Sequence, residues 1–292
     1  MKQKKIFALG FFDGVHLGHQ TLLHACTRLA QQAGIGTAAI TFDRHPHSLF
    51  TVQPQPLLNT TKNRCGLLQS CGMETVLTYP VNAQTMTMPW ESFLEALIAE
   101  GAAGFVCGYD FRFGKNGEGN AEKLAKFAEE RNLPYYIVDE QTMDGEKISS
   151  TRIRALLEQG DIENANRLLG HPHMLSGTVV KGRGLGRTIG IPTANMQLPK
   201  ELVTPAFGVY ACSVCVDGNH YAAVTNIGTR PTVDGQNVTV EPWILDFDGD
   251  LYGKEITLEF HKFLRPEQKF GSLEELKAQI QKDAATTREI LK

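Results

Sequence analysis

The sequence has no apolar stretch approaching the roughly 20 residues that a membrane-spanning helix requires. The longest N-terminal apolar run, Ile6–Phe12, stops at Asp13 and is too short for a secretory signal core, so no export signal is expected. Basic charge is not in excess either. Twenty-nine Lys and Arg face 32 Asp and Glu, giving a net charge of −3 and a pI near 6.3. That balance leaves no general positive field for nucleic acid, and neither nucleic acid nor membrane is expected as a partner. The six cysteines, Cys26, Cys65, Cys71, Cys107, Cys212 and Cys215, are scattered. Cys212-x-x-Cys215 has redox spacing but lies in a strand-like run, where an odd offset puts the thiols on opposite faces. A reduced, cytoplasmic protein is expected. The phosphate loop G-x-x-x-x-G-K-[ST] is absent throughout. At 292 residues, two domains are the natural division.

What is present is organised around residues 6–20, IFALGFFDGVHLGHQ. Ile6–Leu9 reads as a buried strand that stops at Gly10, and a turn through Asp13 and Gly14 leads to His16-Leu17-Gly18-His19. From Gly18, residues Leu22, Leu23, Cys26 and Leu29–Ala30 recur at helical spacing. Two histidines therefore occupy the first turn of a helix, where free N–H groups and roughly half a positive charge attract an anion. Gly18 lets a phosphate approach the backbone, and two imidazoles can donate to charge developing on phosphorus oxygens. Two histidines near a turn are more often surface residues. A metal site is weaker still, because zinc wants three or four ligands and nothing nearby completes a set. The strand before and the helix after give this H-x-G-H its weight. It resembles the nucleotidyltransferase superfamily, in which H-x-G-H grips the ATP triphosphate. The longer string from Phe12 to Gln20 is similar to that of the bacterial bifunctional riboflavin kinase/FAD synthetase family.

Further elements carry the same resemblance. Thr37–Phe42 reads as a second strand, so strand, helix and strand form a βαβ unit and predict a parallel sheet. The family's T-F-x-P-H-P is met by Thr41-Phe42-Asp43-Arg44-His45-Pro46, with Arg44 replacing a proline. Alone, His45 and His47 would be loop histidines. Lys62–Ser70, Trp90–Glu100 and Ala121–Arg131 read as helices, and Thr75–Tyr79, Gly104–Cys107 and Tyr135–Val138 as strands. Gly108-Tyr109-Asp110-Phe111-Arg112-Phe113-Gly114 matches the family's G-x-D-F-R-F-G. Taken alone it is a turn with an Asp110–Arg112 ion pair at a hydrophobic edge. Ile148-Ser149-Ser150-Thr151-Arg152-Ile153-Arg154 matches I-S-S-T-x-I-R and runs into a helix, Ala155–Gln159. Ser149 or Ser150 can cap that helix, while hydroxyls and arginines at a helix start also suit a polyphosphate. In the nucleotidyltransferases this loop works opposite H-x-G-H.

After a short helix, Ile162–Leu169, and Gly170-His171-Pro172-His173, the pattern changes to short alternating segments. Ser176–Val180, Gly208–Val216, His220–Asn226, Asn237–Leu245 and Glu255–Phe260 read as an antiparallel β-barrel, closed by an amphipathic helix over Leu273–Ile290. Its apolar stripe is read as Leu273, Leu276, Ile280 and Ala284. Between the first two segments lies a glycine loop with Lys181, Gly182, Gly184, Gly186, Arg187 and Gly190, then Pro192-Thr193-Ala194-Asn195. It is a flexible loop or a phosphate wrap with positive charge, and Thr193 and Asn195 offer neutral oxygens to magnesium on a nucleotide. Pro192–Asn195 resembles the P-T-A-N signature of riboflavin kinases. Thr239-Val240-Glu241-Pro242-Trp243 falls on the family's T-V-E-x-H, with Trp243 replacing histidine. Pro242 is expected at an edge or bulge.

The resemblance implies an α/β nucleotidyltransferase domain with a Rossmann-like parallel sheet over residues 1–158, a connector at 159–173, and an all-β riboflavin kinase barrel with a C-terminal helix over 174–292. It implies conversion of riboflavin and ATP to FMN and ADP in the barrel, with Glu241 as base and Thr193 and Asn195 holding Mg2+ under the glycine loop. It then implies FMN and ATP going to FAD and pyrophosphate in the N-terminal domain. His16, His19 and Arg154 would serve the phosphates there. Gly10, Phe12, Asp13, Gly18, Pro46, Asp110, Arg112, Ser150 and Thr151 would line the nucleotide and flavin sites. The alternatives are an FAD synthetase with an impaired kinase, to which Trp243 points, and a flavin-binding regulator without turnover. Partners are small-molecule substrates. The oligomeric state stays open, a monomer included.

Overall fold

Four apolar runs and one partly polar one make the first sheet of the computed structural model, which describes residues 2–49, 51, 55–182, 186, 190–232 and 235–292, with backbone alone at 47, 49, 230–232 and 235–237. The chain divides into two compact units, Met1–Ser150 and Thr151–Lys292. In the first, β1 (Lys5–Leu9), β2 (Gly36–Phe42), β3 (Thr75–Tyr79), β4 (Ala102–Gly108) and β5 (Tyr135–Val138) form one sheet in the order β3-β2-β1-β4-β5. Every pair is parallel. Such a sheet needs cover on both faces. Ile6 and Ala8 accordingly pack one way, with Leu22, Leu23 and Cys26 of α1 (Leu17–Ala33). Phe7 and Leu9 pack the other way, with Phe93, Leu97, Phe105 and Phe127. Full burial of each such side chain contributes about 1.5–3 kcal/mol. The order reverses between β1 and β4, the place where open α/β sheets collect ligands beyond their carboxyl ends.

The expected elements are present with ends moved by a few residues. Small elements went unread, among them a helical turn at Ala83–Met86 and the two-residue strands β6 (Thr142–Met143) and β7 (Glu146–Lys147), which pair as a hairpin.

In the second unit, β8 (His173–Val180), β9 (Asn195–Gln197), β10 (Gly208–Val216), β11 (Asn219–Thr232), β12 (Gly235–Ile244) and β13 (Glu255–Arg265) close into an antiparallel barrel, ordered β10-β11-β12-β9-β8-β13. Closure requires a glycine at 208, since a Cβ there would lie 2.5 Å from the Phe263 ring and 2.6 Å from the Arg265 carbonyl. Cys212 is buried and Cys215 exposed, as opposite faces of one strand require. The segment Ile162–Leu169 is a helix packed on β13, where Asn166 donates to the Phe260 carbonyl at 2.7 Å.

The C-terminal helix, Leu273–Ile290, buries Asp283, Ala284 and Thr287, while Leu273 is 61% exposed. Ala284 is buried and Leu276 and Ile280 are half-buried, as the expected stripe requires, and only Leu273 in the first turn falls outside it. Asp283 joins the docked face, because it accepts from Arg265 Nη2 at 2.8 Å and Nε at 3.0 Å at the end of β13.

Candidate functional sites

The turn that follows β1 is strained and clamped. Phe12 and Val15 are non-glycine residues with φ of 60° and 43°. A Cβ on Gly10 would lie 2.8 Å from the Phe12 ring, so the ring can fold back only over a glycine. Hydrogen bonds from several elements hold the turn. Asp13 Oδ1 accepts from the Leu58 N–H at 2.9 Å, and Thr41 donates to the Phe11 carbonyl at 2.7 Å. Gln20 donates to the Val15 carbonyl and Ser150 to the Asp13 carbonyl, both at 2.9 Å. Backbone strain persists where surroundings over-determine it, and this is such a place.

That clamp sets His16 as the N-cap of α1. Its Nδ1 accepts from the His19 N–H at 3.3 Å, which leaves Nε2 as the ring's donor. The two imidazoles stack with centroids 3.6 Å apart and planes 13° from parallel. A Cβ on Gly18 would come within 3.2 Å of the His16 ring, so glycine keeps that ring in place. Phe12 meets His19 edge-on at 5.3 Å. Burial holds the His19 pKa well below the usual histidine range, with His16 and Arg64 adding to the effect. At neutral pH the pair therefore never carries two adjacent positive charges.

Pro46 begins a short 3-10 turn, Pro46–Leu49, beside His45, whose ring meets Phe11 edge-on at 5.0 Å. Arg44 is exposed and lies 3.7 Å from Asp43, so the departure from proline leaves the turn intact. In the 108–114 segment Phe113 is buried and anchors the loop. Asp110 does not pair with Arg112. It pairs with Lys147 at 2.7 Å, because the unread hairpin brings that ammonium over the loop, where it also donates to the Tyr109 hydroxyl at 2.7 Å. Arg112 is exposed. Ser150 lies inside its helix, Ser150–Gln159, and its hydroxyl serves the Asp13 carbonyl rather than the cap. Thr151 is exposed and Arg154 buried on the same helix.

In the barrel, residues far apart in sequence meet. The Ala194 N–H donates to the Pro242 carbonyl at 2.9 Å, and Met196 pairs with Val240, which sets Thr193–Asn195 beside Glu241. Glu241 is half-buried opposite Asn226 on β11. Pro242 lies at neither an edge nor a bulge. It sits within β12 of the closed barrel, opposite Thr225 of β11, and its carbonyl faces the Ala194 N–H. The side of the residue that lacks an N–H is thus turned toward the short strand β9. Trp243 packs with Val209, Val224 and Ala284, a structural use for the residue that replaces histidine. A Cβ on Gly182 would overlap the Asn195 side chain at 2.2 Å. One on Gly186 would meet the Ile191 carbonyl at 2.2 Å and Thr193 Oγ1 at 3.3 Å. The described ends of the glycine loop thus close onto Thr193 and Asn195, with Lys181 exposed beside them. Gly184 and Arg187 lie outside the described residues. No group of three or more His, Cys, Asp or Glu among the described residues is arranged to hold a metal ion.

Two side chains were missed in the sequence. Arg64 is fully buried beneath the first turn, and the only hint was its i, i+4 pairing with Leu68 on the buried face of α2 (Thr61–Ser70). Glu267 lies against Gly228, where a Cβ would come 2.3 Å from its carboxylate.

The FAD synthetase family model matches residues 1–152 and the riboflavin kinase family model residues 169–291. A bifunctional riboflavin kinase/FMN adenylyltransferase of Listeria monocytogenes is 38% identical over 97% of this chain and 91% of its own length. The Escherichia coli K12 protein of the same name is also 38% identical, over 97% of this chain and 92% of its own. A solved structure from Streptococcus pneumoniae, described as a macrolide-efflux protein, matches with a TM-score of 0.87 and 30% identity, covering 99% of this chain and 95% of that one. Among the described residues, no helix here is long and apolar enough to cross a membrane. With both halves matched in order and the relatives spanned nearly end to end, the chain belongs to the bifunctional riboflavin kinase/FMN adenylyltransferase family.

Proposed function

We propose that the barrel, residues 174–292, phosphorylates riboflavin, and that residues 1–158 adenylylate the resulting FMN, with 159–173 as connector. In the second step an FMN phosphate oxygen attacks the α-phosphorus of ATP and pyrophosphate leaves. The nucleophile is already ionised, so catalysis reduces to positioning and charge stabilisation. The stacked His16–His19 pair at the start of α1 is the observation that carries this reading. His16, through Nε2–H, and His19 donate to phosphate oxygens at the positive end of the helix, while Arg154, Ser150 and Thr151 serve the leaving pyrophosphate. Gly10 and Phe12 shape the turn, and Asp13 fixes it through Leu58. Pro46, Asp110 and Arg112 border the nucleotide and flavin.

In the barrel, Glu241 takes the proton of the terminal ribityl hydroxyl as that oxygen attacks the γ-phosphorus of ATP. Thr193 and Asn195 would hold magnesium, since neutral oxygens suit an ion already paired with nucleotide phosphates. The Gly182–Asn195 cradle, which any side chain at 182 would fill, supports that fit. Magnesium supplies charge neutralisation on the phosphates. Lys181 and Arg187, with the backbone of Gly182, Gly184 and Gly186, cover them. Trp243 has a packing role, so its replacement of histidine does not by itself mark an impaired kinase. Six free cysteines support a cytoplasmic location.

Two variants of the full chain test the assignment. Glu241→Gln should abolish FMN formation from riboflavin and leave FAD formation from FMN intact. His19→Ala should do the reverse. If either variant loses both activities while remaining folded, the division of labour is wrong.

A further inference from the structure

Beneath the histidine turn lies a cation that the reaction as described does not use. Arg64 is fully buried on α2. Its Nη2 donates to the Phe42 carbonyl at the end of β2, and more loosely to Thr61 Oγ1 at 3.4 Å. Its Nε and Nη1 have no hydrogen-bond partner among the described residues. The guanidinium carbon stands 4.4 Å from the Phe11 ring centre. Phe11 immediately precedes Phe12, whose ring touches His19, and α2 packs on the Asp13–Val15 turn. A buried, half-partnered guanidinium is expensive, and leucine or methionine would fill such a place more stably. A charge retained there calls for a use.

Resting on the adenylyltransferase reading above, we propose that Arg64 is a positioning residue for adenylyl transfer, a fixed cation behind the His16–His19 pair that braces the Phe11–Val15 turn. The charged and titratable groups acting on His19 are His16 and Arg64, and the Asp13–Val15 turn, which also packs on α1, adds the buried Asp13 carboxylate, held by the Leu58 N–H. β1, β2, β4 and β5, which pack on α1, face it with apolar side chains, Ile6, Ala8, Ala39, Val106 and Val138 among them. Cys26, farther along α1, is a neutral thiol pushed up to about 12 by burial. Arg64 keeps its own charge because Asp13, Cys65 and Asp43 offset part of the burial that opposes it. In a low-dielectric setting its field adds to the cost of protonating His19, and two stacked rings 3.6 Å apart cannot both be imidazolium beside a third cation. His19 then meets ATP as a neutral donor, and protonation that would tilt the ring pair apart is postponed to lower pH.

The test is the pH dependence of FAD formation from FMN by the full chain, wild type against Arg64→Lys and Arg64→Met. Arg64→Met should move the acid limb upward, because a cation that opposes protonation of His19 is gone. Arg64→Lys, which keeps the charge, should leave the limb in place. Riboflavin phosphorylation, measured in the same samples, should be unchanged in both. A uniform loss of rate with unmoved limbs in Arg64→Met, or an equal loss in both variants, would mean that Arg64 only packs, and would overturn the proposal. An independent readout needs neither variant nor activity. In wild-type protein with labelled histidine, the His19 ring signals should stay those of a neutral imidazole at pH 6.5, where a free histidine is half protonated, and titration near 6.5 would also overturn it. A wild type that makes no FAD but keeps a neutral His19 would instead sink the functional reading on which the proposal rests.

Discussion

The barrel carries a pH sensor of its own stability in His173. This residue is 1% exposed, its ring tilts against Phe260 at 5.9 Å, and both ring nitrogens lack a hydrogen-bond partner. Its backbone N–H is satisfied by Asn166 at 2.8 Å, so only the ring is at issue. Burial, with a smaller contribution from His171, pushes the pKa down to about 3. The unfolded chain takes up this proton near pH 6.5, whereas the folded barrel resists it until about pH 3. The folded state is therefore at full advantage above pH 6.5 and loses stability as the pH falls, at about 1.36 kcal/mol per unit. Two units down, at pH 4.5, the loss reaches about 2.7 kcal/mol, a large share of a typical domain's stability. His173→Leu removes the proton site and two unpartnered nitrogens at nearly constant volume. It should be neutral or stabilising at pH 7.5 and should erase most of the acid loss. His261, also lowered by burial, keeps a smaller slope in place. The chain has two tryptophans, so Trp90→Phe leaves Trp243 as a reporter of the barrel alone. Urea midpoints followed by Trp243 fluorescence at pH 7.5, 6.5, 5.5 and 4.5 give the slope. An unchanged loss of stability in His173→Leu between pH 6.5 and 4.5 would refute the reasoning.

Gly18→Ala places a Cβ 3.2 Å from the His16 ring, so the stacked pair must shift. FAD formation from FMN should fall on the order of 10- to 100-fold while riboflavin phosphorylation is unaffected, as separate rate assays would read. Brief alkylation of the native protein should label exposed Cys215 ahead of buried Cys26, Cys107 and Cys212, whose thiol pKa values burial raises. Peptide mass spectrometry reads the order, and early labelling of Cys212 would contradict the closed barrel.

Much of this was legible in the sequence, for identifiable reasons. The switch from a short apolar strand to helical spacing across Gly10–Gly18 located the histidine turn, because period and glycine placement are local properties. The barrel showed itself through alternation, yet β9 escaped, since three residues are too few to display a period. The Thr142–Lys147 hairpin escaped for the same reason, and with it the partner of Asp110. Arg64 was illegible because a buried charge has no pattern. Its setting exists only after α2, Phe11 and Phe42 have come together. The face of the C-terminal helix was legible from apolar spacing at Leu276, Ile280 and Ala284, whereas the exposed Leu273 and the buried Asp283 that pairs with Arg265 were not, because an ion pair leaves no periodic signal. Trp243 reads in the sequence as a damaged catalytic neighbour, and only its packing against Ala284 gives it another purpose.

The central claim is that one chain carries out both steps, and a product time course tests it most directly. Purified full-length protein is given riboflavin, ATP and magnesium, and flavins are separated chromatographically at intervals. FMN should appear first and then decline as FAD accumulates, and FMN supplied in place of riboflavin, with ATP and magnesium, should be converted to FAD. FMN that accumulates without FAD would contradict the role given to His16 and His19, and riboflavin left unconsumed while added FMN becomes FAD would contradict that given to Glu241.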